Sequence, residues 1–279
     1  MTGWQQVLRV TTLALSTALG SIALAQSVAQ PVPSRHTLTG ELTKPQASGP
    51  AVVLVAGATG RTGRLLLEQL RKDPRYALRP MARDVEAARR NISKDYLWVA
   101  GDVTRPETLA PALSGVSLVL VAIGGTERSG PNSPEFVDFG GVKNLTDAAR
   151  TAGVRQFVLE SSMGVGSGGG LLGMMLNLLS GDALKWKAKG EAHLRASGVP
   201  YTIVRPGGLT DDPGGQTGLV LRQGDEGSGR IARADVAAVM IATLDNPDAF
   251  DRTFEVIEDD KAPREAWRTG FSALKPDPR

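Results

Sequence analysis

Residues 52–64 read Val-Val-Leu-Val-Ala-Gly-Ala-Thr-Gly-Arg-Thr-Gly-Arg, and this stretch decides the fold. A β-branched apolar run enters a loop with glycines at 57, 60 and 63, and the helix-forming run RLLLEQLRK follows at 64–72. Strand, glycine-rich turn and helix in that order make a device for holding anions. The helix start presents backbone N–H groups and the positive end of a helix dipole where a pyrophosphate fits. Gly57 suits the tight turn, Gly60 leaves the backbone bare towards a phosphate, and Gly63 allows close packing of helix on strand. Thr59, Arg61 and Thr62 lie between these glycines and join them as candidate cofactor contacts. The spacing is GxxGxxG, not GxGxxG, so the flanking strand and helix carry much of the weight. A β–α turn without a ligand is the alternative reading.

Working outward, strands and helices alternate. Strands are expected at Tyr76–Ala82, Tyr96–Ala100, Ser117–Ile123, Gln156–Glu160, Tyr201–Arg205 and Thr253–Ile257. Helices are expected at Val85–Ile92, Pro106–Leu113, Phe136–Ala152, Ala183–Ser197 and Ala234–Leu244, the third closing on Gly153 as a C-cap. Leu219–Arg222 and Gly229–Ile231 read as a short hairpin, and Arg264–Leu274 as a short terminal helix. Pro80 cannot donate to a ladder and predicts an irregularity in its strand. Buried β-branched runs separated by helices argue a parallel sheet covered on both faces. The fold class is therefore α/β: a Rossmann-like, doubly wound parallel sheet in a three-layer α/β/α sandwich.

In such a sheet ligands collect at the C-terminal tips of the strands. The second tip carries Arg83 before Asp84. An Arg there pairs with a 2′-phosphate, whereas an acid there binds a ribose 2′-hydroxyl. Arg83 and Arg61 together favour NADP, with NAD as the alternative; the competing reading makes both arginines solvated surface charges and Asp84 simply a cap on the next helix. Asp102 and Val103 follow the third strand and suit an adenine, or Asp102 is a helix cap, although Thr104 ahead of Pro106 is the better cap. Ala122, Ile123 and Gly124 end the fourth strand with little bulk.

Composition narrows the function. The chain has 279 residues, 41% hydrophobic and 22% charged, as in an ordinary globular protein with one large α/β core. It has no cysteine and two histidines, so thiolate chemistry and His/Cys metal sites are excluded, and His193 is read as lining a helix. The net charge is +3 with aromatics at 5%, and basic residues alternate with acids, so nucleic acid is not expected as a partner. Residues 1–25 hold Arg9, a weakly apolar run from Val10 and an Ala23-Leu24-Ala25 site, which matches a secretory signal peptide. That leader predicts a secreted, periplasmic or membrane-associated protein, with an attached extension or a cytoplasmic location as the alternative. It is too short and too rich in Ser and Thr for a stable membrane span. Residues 26–50 contain four prolines and read as a disordered linker, 51–260 as the folded domain and 261–279 as a tail. Exported compartments are poor in reduced nicotinamide nucleotides, so leader and glycine loop pull in different directions.

Five segments together resemble the atypical short-chain dehydrogenase/reductase family. They are GATGRTG at 57–63, GDVTRPETL at 101–109, GVKNLTDAARTAGVRQFVLESSMGVG at 141–166, WKAKGEAHLRASGVPYTIVRPGGL at 186–209 and IARADVAAVM at 231–240. The resemblance is to the NAD(P)H-binding branch with NmrA-like, biliverdin-reductase-B-like and plant plastid members. It implies that Ser162 is the active-site Ser and that Lys189 is the Lys of a YxxxK motif, binding the nicotinamide ribose. The Tyr of that motif falls on Lys185 and is missing. Pro206, Gly207 and Gly208 are implied along the nicotinamide, and Asp235 at the start of a helix. Tyr201 reads as core, and Trp186 either walls the nicotinamide pocket or anchors its helix. The implied function is NADP(H)-dependent hydride transfer to a small conjugated acceptor. Alternatives are an NAD(P)H-binding sensor or assembly factor without turnover, or a sugar-nucleotide enzyme. The glycine- and Leu/Met-rich segment 163–182 reads as a lid over an apolar acceptor, as a surface for a protein partner, or as a packed loop and helix.

Overall fold

The structure is a computed structural model, and it describes residues 49–166, 182–225 and 227–278. The leader at 1–25, most of the linker and most of the 163–182 segment therefore lie outside the described residues.

Strand β1 (Ala51–Ala56) runs into the glycine loop and helix α1 (Arg61–Leu70). Next come β2 (Tyr76–Ala82), α2 (Val85–Asn91) and a two-residue β3 (Val99–Ala100). A 3-10 turn at Pro106–Thr108 leads into α3 (Leu109–Leu113) and β4 (Leu118–Val121). A π-helical segment, Glu135–Gly141, continues as α4 (Val142–Ala152), which ends with Gly153 in the left-handed region at φ 67°. Then follow β5 (Gln156–Glu160), α5 (Ala183–Ala196), β6 (Tyr201–Pro206) and β7 (Gly208–Thr210). The chain completes with β8 (Gly218–Arg222), β9 (Arg230–Ala232), α6 (Arg233–Ala242) and β10 (Arg252–Asp259).

The main sheet has eight strands in the order β3-β2-β1-β4-β5-β6-β10-β8. All neighbours are parallel except β10 and β8. This is the doubly wound, Rossmann-like arrangement, and the winding reverses between β1 and β4. Side-chain alternation on β1 feeds both layers: Val53 and Val55 enter the core under α1 and α6, Leu54 and Ala56 the core under α3, α4 and α5. Helix α1 presents Leu66, Leu67 and Leu70 to the first of these cores, at the spacing that puts them on one helical face.

Four expectations are corrected. The 219–222 and 229–231 segments do not pair as a hairpin. Strand β8 lies antiparallel on β10, whereas β9 pairs in parallel with β7 in a separate two-stranded sheet. Pro80 breaks nothing: it stays in register opposite Val55, and the ladder to β3 starts only at Met81. Thr104 caps no helix, because its hydroxyl and N–H both bind Asp102 Oδ1. Asp235 lies inside the first turn of α6 and accepts from Gly215 N at 2.7 Å, so it anchors a loop without capping the helix.

The tail folds back. A 3-10 helix at Ala266–Ala273 buries Trp267 and Phe271, and Leu274 follows them into the core. Asp277 then accepts from Tyr201 Oη, Arg195 Nε and Thr253 Oγ1 at 2.9, 3.1 and 2.6 Å. Tyr201 is a core residue, as expected. Among the described residues no helix is long and apolar enough to cross a membrane.

Candidate functional site

Two clefts open at the C-terminal tips of the strands and share one wall, Ala122-Ile123-Gly124 after β4. The first, of about 260 Å³, lies between the glycine loop and the tips of β2 and β3. Gly57, Thr59, Gly60, Arg83, Asp102 and Val103 border it. The second, of about 630 Å³, lies between α1 and the tips of β5 and β6. Arg61, Thr62, Ser162, Pro206, Gly207 and Gly208 border that one. Every cofactor residue expected from the sequence, apart from Gly63 and Lys189, thus lines one cleft or the other.

The glycine loop owes its path to contacts no side chain permits. Gly57 has φ 83°, and a Cβ on it would stand 2.1 Å from Ala122 O. A Cβ on Gly63 would stand 2.0 Å from Gly57 O, so Gly63 is what brings the helix onto the loop. Helix α1 starts at Gly60 with no side-chain cap and no acid in its first turn. An uncapped start leaves N–H donors to be satisfied from outside. Across the cleft, a Cβ on Gly124 would meet only Asp138 Oδ1, at 3.7 Å, and would otherwise stand in the open space. Bare donors facing a bare strand tip fit the pyrophosphate of a dinucleotide.

Arg61 and Arg83 do not converge. Arg83 borders the first cleft and donates to Asn132 Oδ1 at 2.8 Å. Arg61 borders the second and is ion-paired to Asp211, 2.8 Å away, which Arg233 also holds at 2.6 Å. A two-arginine clamp on one phosphate is therefore not what the chain builds. Asp84 caps α2 by accepting from Ala87 N at 2.8 Å. Asp102 pins its own turn through Thr104, and Val103 O receives Asn144 Nδ2 at 2.9 Å.

The lysine in the second cleft is Lys187, not Lys189. Lys187 Nζ lies 2.7 Å from Asp138 Oδ1, whose other oxygen accepts from Gly125 N at 2.8 Å. Burial alone pulls the Lys187 pKa down, but Asp138, Glu160 and Glu191 outweigh it and the net direction is upward, so the group stays an ammonium. Lys189 faces elsewhere, with Nζ 4.3 Å from the centre of the Trp186 ring and 5.7 Å from that of Phe139. Trp186 stacks on Phe139 with centroids 6.1 Å apart and anchors the helix instead of walling a pocket. Lys185 lies near Asp182 at 4.0 Å and over Trp186. The chain has three tyrosines, and none of Tyr76, Tyr96 or Tyr201 borders either cleft.

Several further groups went unmarked in the sequence. Glu160 ends β5 with 8% of its surface exposed and accepts from Thr62 Oγ1 at 3.1 Å. Ser161 Oγ donates to Glu191 Oε1 at 2.5 Å, and Glu191 also receives Arg205 through two contacts, at 3.0 and 2.7 Å. Arg205 then reaches Glu255 at 3.2 Å, while Asp225 accepts from Gly164 N and Gly166 N, both at 2.6 Å. Burial pushes the Glu255 carboxyl above its ordinary range. This ionic cluster fixes the loop that leaves β5. Helical phase could have exposed Lys187: it lies four residues before the buried Glu191 and seven before the buried Leu194, on the inward face.

Sheet order, uncapped helix start and paired clefts define a dinucleotide-binding Rossmann domain. The chain belongs to the NAD(P)H-binding family, whose profile spans residues 57–247. Its relatives include reductases. Sanguinarine reductase of Eschscholzia californica is 30% identical over 243 residues, 73% of this chain and 88% of that protein. A chloroplast protein of Arabidopsis thaliana is 34% identical over 218 residues, 70% of this chain but 66% of that protein, just under two thirds of its length. Among solved structures, anaerobillin reductase of Escherichia coli O157:H7 superposes with a TM-score of 0.65 at 26% identity, covering 76% of this chain and all (100%) of that one.

Proposed function

We propose that the protein is an NADP(H)-dependent oxidoreductase that reduces a small conjugated acceptor. The observation that carries this reading is the second cleft, where the Lys187 ammonium, the Ser162 hydroxyl and the Pro206-Gly207-Gly208 backbone meet beside the uncapped start of α1. The names of two relatives, reductases of sanguinarine and anaerobillin, support it.

The first cleft would take the adenosine half. Arg83 at its rim supports a 2′-phosphate, and Asp84, the acid that would suit a free ribose hydroxyl, is engaged as a helix cap. The second cleft would take the reacting half. When bound, the reduced nicotinamide supplies the hydride. Lys187 offers a fixed positive charge for a ribose hydroxyl or for negative charge developing on the acceptor. Leu209 and Met163 give that cleft an apolar border, suited to a flat organic molecule. With no tyrosine bordering the cleft, the proton falls to another group there, or the acceptor is one whose reduced form tolerates negative charge.

A second reading, an NAD(P)H-binding sensor or assembly factor, is favoured by that same absence of tyrosine. The leader at 1–25 is read as a targeting segment, and the chloroplast relatives support an organellar address over export. Fluorescence titration with NADPH and NADH, followed by a panel of quinone, flavin and aldehyde acceptors, separates the readings. Binding of NADPH in preference to NADH with acceptor-dependent oxidation supports the enzyme. Tight binding without turnover on any acceptor supports the sensor.

A further inference from the structure

We infer that Glu160 is the acid of the second cleft, donating the proton that accompanies hydride transfer in the place a tyrosine would fill. The inference rests on the oxidoreductase reading above.

Elimination within the cleft leads to it. Arg61 and Arg233 are guanidinium groups committed to the ion pairs with Asp211. Ser161 commits its hydroxyl proton to Glu191. Ser162 donates to Met163 O at 3.0 Å. Lys187 is held charged by Asp138, and its raised pKa makes it a reluctant donor. Glu160 remains. It lies at the end of β5, one residue from Ser161, among the residues bordering the cleft. Thr62 engages one of its two carboxyl oxygens.

The groups facing Glu160 come from three helices: Thr62 from α1, Lys187 from α5 and Arg233 from α6. Burial favours the neutral acid, while both cations and the Thr62 hydroxyl favour the carboxylate. Burial prevails and the carboxyl is raised above its ordinary range, yet the carboxylate left after donation faces two positive charges. An acid whose neutral form is favoured by burial and whose carboxylate faces two cations has what general acid catalysis needs. In the step itself, an acceptor carbon would take the hydride that the bound reduced dinucleotide supplies. The Glu160 O–H bond breaks, its proton joins the acceptor heteroatom, and water at the cleft mouth reprotonates the carboxylate.

The test uses the full chain and the variants Glu160→Gln and Glu160→Asp. Two acceptors are compared with NADPH: a quinone, which must take up a proton, and a cationic triarylmethane dye, which takes hydride alone. Glu160→Gln is expected to bind NADPH as the parent does. It should lose about 10²-fold or more in quinone reduction, as typical for a missing general acid, yet keep dye reduction. Glu160→Asp should restore part of the quinone rate. Infrared difference spectra of the ligand-free protein should show a protonated carboxyl titrating above the ordinary glutamate range, absent in Glu160→Gln. Equal effects on both acceptors, or no such carboxyl band, overturn the role of Glu160 while leaving the oxidoreductase reading intact. If the parent protein binds NADPH but reduces neither acceptor, the oxidoreductase reading falls, and the role of Glu160 with it.

Discussion

Lys187 Nζ lies 2.7 Å from Asp138 Oδ1, and this pair ties α5, which brings Lys187 to the second cleft, to the π-helical segment, whose Val137 borders the first. A π-helical turn widens the backbone ring and often marks a functional site. Here it places Asp138, 2% exposed, where one carboxylate holds both Gly125 of the β4 loop and the cleft lysine. Ammonium and strand tip are positioned by the same group.

Replacing Lys187 therefore has two consequences. Lys187→Met leaves a buried carboxylate without its cation and should cost about 3 kcal/mol of stability, with Asp138→Asn in the same chain recovering part of it. Acceptor reduction should fall about 100-fold, the loss expected for one charge-stabilising donor. Lys189→Met removes only an exposed cation–π contact and should cost about 0.5–1 kcal/mol with reduction unchanged. Thermal melts and acceptor assays on both variants check this. Equal loss of activity in the two would remove Lys187 from its assigned place.

Arg83 is predicted to read the cofactor. Arg83→Ala should weaken NADPH binding by about 1.5–3 kcal/mol, the worth of charge-assisted hydrogen bonds to a phosphate, and leave NADH nearly unchanged. Arg61→Ala should affect both cofactors alike, since Arg61 borders the other cleft. Titration of both variants with both nucleotides gives the four numbers needed. An Arg83→Ala protein that loses both cofactors equally refutes the 2′-phosphate contact.

The parts legible in the sequence were those set by neighbours along the chain. The GxxGxxG loop, the apolar strands and the Gly153 cap each depend on a few consecutive residues and appear where expected, save that the strand expected at Tyr96–Ala100 is only Val99–Ala100. What depended on distant partners was misread. Strand β8 pairs with β10, more than 30 residues further on, as in the register Arg222 with Glu255, and nothing near residue 222 announces that partner. The choice between Lys187 and Lys189 turned on helical phase, which the motif spacing overrode. Glu160 looked like the polar end of a strand, and only the packing of three helices around it gives it a chemical setting. Arg61 lies within the glycine loop and Arg83 just after the next strand, yet the sheet separates them onto opposite sides of the β4 tip.

The tail is predicted to be part of the stability of the domain. Asp277 receives four hydrogen bonds, from Tyr201, Arg195 and both the hydroxyl and the N–H of Thr253. Asp277→Ala strands these donors and should cost about 3 kcal/mol. The exposed Asp260→Ala should melt with the parent. Denaturant titration measures both, and an Asp277→Ala midpoint equal to that of the parent would show that the tail docks without contributing.

Asp235 provides a prediction about pH. Burial raises its pKa, Glu258 and Glu265 add to the rise, and the hydrogen bond from Gly215 N opposes it without cancelling it. A carboxyl whose folded pKa exceeds its unfolded value binds its proton more tightly in the folded state. Between the two pKa values the unfolded chain has lost the proton and the folded one retains it, so stability falls as pH rises through that window. The window opens near the ordinary aspartate pKa of about 3.9 and closes at the raised folded value. Asp235→Asn cannot ionise, and its amide oxygen can still accept from Gly215 N, so the variant lacks this loss. Its melting temperature should match the parent at the acid end and pull ahead as pH rises towards neutrality. A melting-temperature difference that stays constant across that range would contradict the burial of an ionisable Asp235.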